Sequence, residues 1–288
     1  MADLHWFGMP RQALVAERPL LQPPLKWAGG KRWLLPEIEK FWKVNPSKRL
    51  IEPFAGGLAI TFGLQPDRAL VNDNNPHLMN FYRWLSTGLT ISEDLRFGPR
   101  LYYRARDEFN ALVAERKQNS RRAAELFFFL NRTCYNGLCR FNQNGEFNTP
   151  IGRYSDPSIE RNLTRYAAAM TNWQIEQRDF SALHVGRGDF VFADPPYDGG
   201  FADYRRQGFS WNDQVRLVSF LSNHTGPVIV SNHVTDRVIE LYERNFDGLV
   251  VYESRRAITS SARRDHAQEV VAYSNVNVPE DLAGTILD

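Results

Sequence analysis

Four times along this chain, a short apolar stretch ends in a cluster of small, acidic or proline residues and gives way to a helical pattern. "RLIEPFAGG" (49–57) leads into "LAITFGL", and "ALVNDNNP" (69–76) into "HLMNFYRWL". "GDFVFADPPY" (188–197) is followed, after a loop, by "NDQVRLVSFLSNH", and "GPVIVSNH" (226–233) by "TDRVIELYER". This rhythm predicts an α/β fold with a parallel, doubly wound sheet of the Rossmann-like kind. The end of the chain breaks from it: "GLVVYESRRAI" and "HAQEVVAYSN" read as two strands around a polar loop, expected to be antiparallel. Open α/β sheets bind ligands beyond the carboxyl ends of their strands. Three of the unusual clusters, at 54–57, 72–75 and 194–197, fall at such ends.

Between the second and third strands, residues 86–175 interrupt the pattern and predict a mostly helical insert. The expected division is a lead-in at 1–22, a sheet domain from 23–85 and 176–288, and the insert. The net charge of the 288 residues is only +2, but residues 96–140 hold ten arginines or lysines against four acids. Such a run is either a solvated helical face or a surface that meets phosphates. After the aromatic-rich "RRAAELFFFLNRT" comes "YNGLCRFNQNGEFNTPIGRY", which sets glycines, amides, Arg140 and Arg153 among aromatics. That mixture suits a surface that reads nucleotides better than a structural loop.

The tip of the third strand carries the most specific chemistry. Two prolines stiffen the backbone and remove amide donors, so the Asp194 carboxylate and nearby carbonyls are left as acceptors. Tyr197 adds a flat apolar face with a polar end. A pocket of acceptors beside an aromatic plate fits an amino group on a planar ring. A plain turn is the bland alternative, since Asp-Pro and Pro-Pro are common turn signals.

"DPPY" (194–197) resembles the catalytic tetrapeptide of amino-group DNA methyltransferases, and the chain as a whole resembles the Dam family, the D12 class of N6-adenine DNA methyltransferases. "LKWAGGKRWLLPEI" (25–38) is similar to the family's N-terminal signature, "EPFAGG" (52–57) to its cofactor loop, and "NDNNPHLMNFY" (72–82) to its acidic strand end. "NRTCYNGLCRFNQNGEFNTPIGRY" (131–154) is similar to its target-recognition segment. "SNH" (231–233) and "RRAITSSARRDHAQEVVAYSN" (255–275) also fit, so the likeness covers about residues 23–275 in the family's order.

The resemblance implies a methyltransferase sheet, S-adenosylmethionine as cofactor and double-stranded DNA as partner. It places Phe54 and the backbone amides of Ala55, Gly56 and Gly57 near the methionine carboxylate. Asp73 would accept from the ribose hydroxyls, although a helix N-cap is the bland reading, with Asn74 and Asn75 as rival caps. Asp179 and Phe180 would meet the cofactor's adenine, or else form a surface turn. Trp27 and Lys31 match positions near the methionine moiety, and Leu58 departs from the family by standing where many relatives carry another glycine. Asp194, Pro195, Pro196 and Tyr197 would be catalytic, with Asp194 also touching the cofactor. The target adenine would be flipped from the duplex, bonded through N6 to the Asp194 carboxylate and the Pro195 carbonyl, and stacked on Tyr197 for roughly 1–3 kcal/mol.

Lys26, Arg132, Tyr135, Asn136, Leu138, Arg140 and Asn142 would contact DNA, with GATC as the expected site and Arg140 reading a guanine. The loop "DGGFADYRRQGFS" (198–210) is expected to order on binding. No apolar run approaches the roughly 20 residues of a membrane span. Cys134 and Cys139 read as reduced packing residues and no metal is expected. A monomer or weak dimer beside the nucleoid in the cytoplasm completes the expectation. Two alternatives stay open: a catalytically silent DNA-binding protein, and a same-fold methyltransferase acting on cytosine N4, RNA or a protein glutamine.

Overall fold

The structure, a computed structural model, describes residues 21–92, 94–157, 159–198, 208–255 and 266–287. Among these, the first two expected strands are β1 (Arg49–Glu52) and β2 (Ala69–Asn72), and the next two are β4 (Asp189–Ala193) and β5 (Val228–His233). A further strand, β3 (Trp173–Glu176), escaped the sequence reading because it is four residues long and only Trp173 is fully buried. It pairs with β2 in the sheet and crosses the boundary expected at 175–176, so the insert ends before it. The closing pair is β6 (Gly248–Arg255) and β7 (His266–Ser274), antiparallel as expected, with a short edge strand β8 (Thr285–Leu287) outside β6.

The sheet order is β3-β2-β1-β4-β5-β7-β6-β8, with β1 to β5 parallel. The chain winds outward in one direction from β1 and in the other from β4, so the switch point lies between those two strands, where a crevice for ligands forms. β7 inserts antiparallel between β5 and β6 and therefore brings its starting end to the edge where β4 and β5 finish.

The four predicted parallel strands are buried on both faces because helices cover each side. Successive residues of β4 point to opposite layers. Phe190 and Phe192 join Ile38 and Phe41 of α1 (Leu35–Val44), whereas Val191 and Ala193 join α7 (Trp211–Ser222) and α8 (Asp236–Glu243). A third core runs from Phe62 of α2 (Ala59–Leu64) through α3 (Pro76–Ser86) into α4 (Pro99–Ala114) and α5 (Arg121–Thr133). Tyr166 of α6 (Thr164–Ala169) closes this core. The insert therefore shares its apolar interior with the sheet layer beneath it.

The basic segment is partly neutralised from within. Arg122 pairs with Asp94, Glu108 and Glu125, Arg121 with Glu125, Arg106 with Asp107, and Lys117 with Glu115. Every acid of the segment is thus spent on ion pairs inside the insert.

Candidate active site

The site forms where β1, β2, β4 and β5 end. β2 runs into Asp73, which accepts from Gly56 N at 3.1 Å and from Asn75 N at 2.9 Å. Asn75, not Asp73, caps α3, accepting from His77 N and Leu78 N, which settles the rival reading of that turn. Burial pushes the Asp73 carboxyl up, and the Asn75, Gly56 and Asn74 amides oppose that. Asp73 therefore ties the second strand end to the glycine loop of the first.

The glycine loop is tightly covered. Trp27 lies on it: a Cβ on Gly57 would come within 2.9 Å of Trp27 Cβ, and one on Gly56 within 3.1 Å of Trp27 Nε1. Leu58 takes a left-handed conformation, φ 54°, and is fully buried. Ala55 N donates to Asn72 O and Gly56 N to Asp73, so two of the three amides expected to face a carboxylate are already engaged. The tight turn that brings the strand ends together consumes them, and α2, at six residues, is too short to offer a helix terminus in their place.

Asp179 and Phe180 lie at the end of β3. Phe180 is buried and forms an aromatic wall with Phe54 at 5.6 Å and Phe209 at 5.9 Å. Asp179 is exposed, and its Oδ1 accepts from Ser181 N and from Arg216 at 2.8 Å. The surface-turn reading thus describes its present bonds, while the Phe180 ring packs against Phe54 in the core.

The DPPY tip is held on every side. Register sets Ala193 of β4 beside Val230 of β5, so Ser231 comes level with Asp194 and donates to its Oδ1 at 3.0 Å. Lys31, nearly fully buried, places Nζ 3.0 Å from the same Oδ1, 3.7 Å from Glu269 and 4.6 Å above the Tyr197 ring. Gly29 O fixes that ammonium from behind at 2.7 Å. The Tyr197 hydroxyl donates to Glu269 Oε2 at 2.8 Å, and its ring lies nearly parallel to His233. Gln214 donates to Pro196 O, and the buried Asp198 is paired with Arg237. Burial pushes the Asp194 carboxyl above the ordinary range, and Lys31 pulls it part of the way back. Glu52, at the end of β1, is pushed up to about 8 by burial, with Thr61 opposing and the Asp194 charge adding.

Ser231, Glu269, Glu52, Gln214 and the Asp198–Arg237 pair were not singled out from the sequence. Ser231 lay within the quoted "SNH" and Glu269 within the closing segment, but nothing local marked either as reaching the strand tip. Glu52 opens the quoted "EPFAGG", and a carboxylate inside an otherwise apolar strand was the signal available.

The expected DNA-contacting residues gather on one rim of the insert. Tyr135, Asn136, Leu138 and Arg140 are exposed after α5, and Asn136 adopts φ 52°. Arg140 is braced through Nε by Asn148 at 2.9 Å. Lys26 donates to Arg132 O and sits 3.9 Å above the Tyr154 ring. Asn142 is bonded within the hairpin: its Oδ1 accepts from Asn144 N and Glu146 N, and its Nδ2 donates to Glu146. Its amide shapes the hairpin turn and is committed there. Phe201, Tyr204, Arg205 and Arg206 of the 198–210 loop lie outside the described residues, as do 1–20 and 256–265.

A model of the family described as D12 class N6 adenine-specific DNA methyltransferase matches residues 27–258. The retron Ec67 DNA adenine methylase of Escherichia coli is 34% identical over 263 residues, covering 87% of this chain and 90% of that protein. The type II methyltransferase M.MjaIII of Methanocaldococcus jannaschii is 35% identical over 259 residues, covering 77% and 88% respectively. The DNA adenine methylase of Salmonella typhi is 33% identical over 269 residues, covering 86% and 93%. With a match of that extent and a doubly wound sheet that brings the DPPY tip to its switch point, the chain belongs to the D12 class of N6-adenine-specific DNA methyltransferases.

Proposed function

We propose that this enzyme moves a methyl group from S-adenosylmethionine to N6 of an adenine flipped out of duplex DNA, within GATC. The observation that carries the reading is the asymmetry at Asp194: Lys31 and Ser231 converge on Oδ1, which leaves Oδ2 and the Pro195 carbonyl as acceptors for an amino group. Bonding both N6 hydrogens there draws the nitrogen lone pair out of conjugation with the ring, and Tyr197, anchored through its hydroxyl, offers the plate against which the base stacks.

The donor set fits the cofactor. Asp73 is a half-buried acceptor suited to ribose hydroxyls, Phe54 and Phe180 supply an apolar wall for a purine, and Trp27 covers the glycine loop. With the Ala55 and Gly56 amides engaged within the loop and the Lys31 ammonium held by Gly29 O and Asp194, the Gly57 amide is the loop donor suited to a carboxylate. When bound, the cofactor supplies an electrophilic methyl group. The residues of this chain bind it, align N6 with it and exclude water, and positioning of that kind accounts for much of such a rate.

For the DNA, Arg140 is exposed and braced by Asn148, which suits a bidentate pairing with guanine O6 and N7, and Leu138 suits a thymine methyl. The same reading places the enzyme in the cytoplasm beside its nucleoid substrate. The test uses purified protein, labelled S-adenosylmethionine and paired duplexes, one with GATC and one with its adenine replaced. Label on the first alone, recovered as N6-methyladenine, is the expected result. Label on both discards the site assignment, and label on neither with DNA still bound discards the catalytic reading.

A further inference from the structure

Asn131 lies near the end of α5 with no exposed surface. Its amide closes a two-point clasp on the backbone of a residue 105 positions away: Lys26 N donates to Oδ1 at 2.8 Å, and Nδ2 donates to Lys26 O at 2.7 Å. The same Nδ2 reaches Gly137 O, at the start of the recognition hairpin, at 3.2 Å. The two strips of backbone press together at this point. Gly137 has φ +69°, and a Cβ there would come within 2.4 Å of Lys26 Cβ. Lys26 Nζ adds a bond to Arg132 O on the same helix end.

The clasped strip is the one that serves the active site. Trp27 follows Lys26 directly and covers the glycine loop, and Lys31 four residues later holds Asp194. The hairpin on the other side of the clasp carries Tyr135, Leu138 and Arg140 at its exposed rim. A buried amide is costly unless its bonding capacity is filled, and here it is filled by backbone from both sides and by the Cys139 sulfur of the hairpin. A shift of the hairpin against DNA must therefore move Lys26, and with it the strip that leads to Lys31.

We propose that Asn131 is a positioning residue that couples base recognition to methyl transfer, so that the transfer rate depends on which bases the hairpin has met. The inference rests on the reading of the hairpin as the recognition element. Single-turnover methylation at saturating DNA and cofactor is measured for wild type, Asn131→Ala and Gly137→Ala. Each meets a GATC duplex and a duplex in which one flanking base pair of the site is changed and the adenine kept. Wild type that methylates both equally removes the recognition reading itself. With wild-type discrimination present, the expected result is a ratio that falls about tenfold in both variants, mainly through a slower rate on GATC, with DNA affinity little changed. A purely structural clasp would lower the unfolding temperature and leave the ratio at its wild-type value, and that outcome overturns the proposal. Gly137→Ala leaves the Asn131 amide in place and opens the same seam, so it decides the matter where Asn131→Ala does not fold.

Discussion

The tip of β4 and the hairpin after α5 are both short, polar and aromatic, yet they are held in opposite ways. At the tip, side chains are what is fastened. Asp194 is bound by Lys31 and Ser231, Tyr197 by Glu269, and Asp198 by Arg237. At the hairpin, backbone is what is fastened, by Asn131, by Asn142, and by the Thr149 hydroxyl that donates to Leu138 O, while Tyr135, Leu138 and Arg140 stand exposed. In the proposed function, methyl transfer needs fixed acceptors, whereas reading a duplex needs exposed side chains on a fixed frame. The two regions meet through one strip of chain, residues 26–31.

Four substitutions sharpen that contrast. Asp194→Ala removes the fixed acceptor and should lower the single-turnover rate on GATC DNA by about a thousandfold, in line with loss of a preorganised polar group. A gel-shift assay should show DNA binding retained, and equal loss of binding would erase the distinction between the two regions. Arg140→Ala should do the reverse, costing about 1–3 kcal/mol of discrimination between guanine and the wrong base while the rate on non-cognate DNA stays near its wild-type level. Competition methylation of mixed duplexes measures it.

Glu52 tests what a buried carboxyl beneath the tip, bonded by Thr61, does to stability. Burial pushes its native carboxyl up to about 8, whereas the unfolded chain releases the proton near 4.5. Stability from this group is therefore complete below the unfolded value and is lost as pH rises toward 8, by about 1.4 kcal/mol per pH unit. Glu52→Gln should flatten that slope in urea titrations run from pH 5 to pH 8. The smallest effect belongs to Lys31→Met. Burial raises the Asp194 carboxyl and Lys31 lowers it, so losing the ammonium raises it further. The acid limb of the pH–rate profile, measured at saturating cofactor, should move to higher pH, and an unmoved limb would show that the limb does not report Asp194.

Much of this site was legible because it is local. A proline-stiffened strand tip, a glycine turn and an acidic strand end each declare their chemistry within a few residues. Asp73 shows the limit even there, since the sequence left open whether it or Asn75 capped α3, and only the bonds that Asn75 accepts from His77 N and Leu78 N separated the two roles. The glycine-loop amides show it again: glycine marked a close approach, but that approach was to Trp27 and Asp73.

The sequence by itself determined the α/β class, the four main parallel strands, the family and the identity of the strand-tip tetrapeptide, because periodicity and short motifs are properties of neighbouring residues. Only the tertiary structure decided who holds that tetrapeptide in place. Glu269 reaches Tyr197 across 72 positions because β7 enters between β5 and β6 in the antiparallel sense, and Asn131 reaches Lys26 across 105 because α5 packs over the N-terminal strip. Strand order and helix packing are set by the burial of whole faces, so the residues they bring together carry no mark of it along the chain.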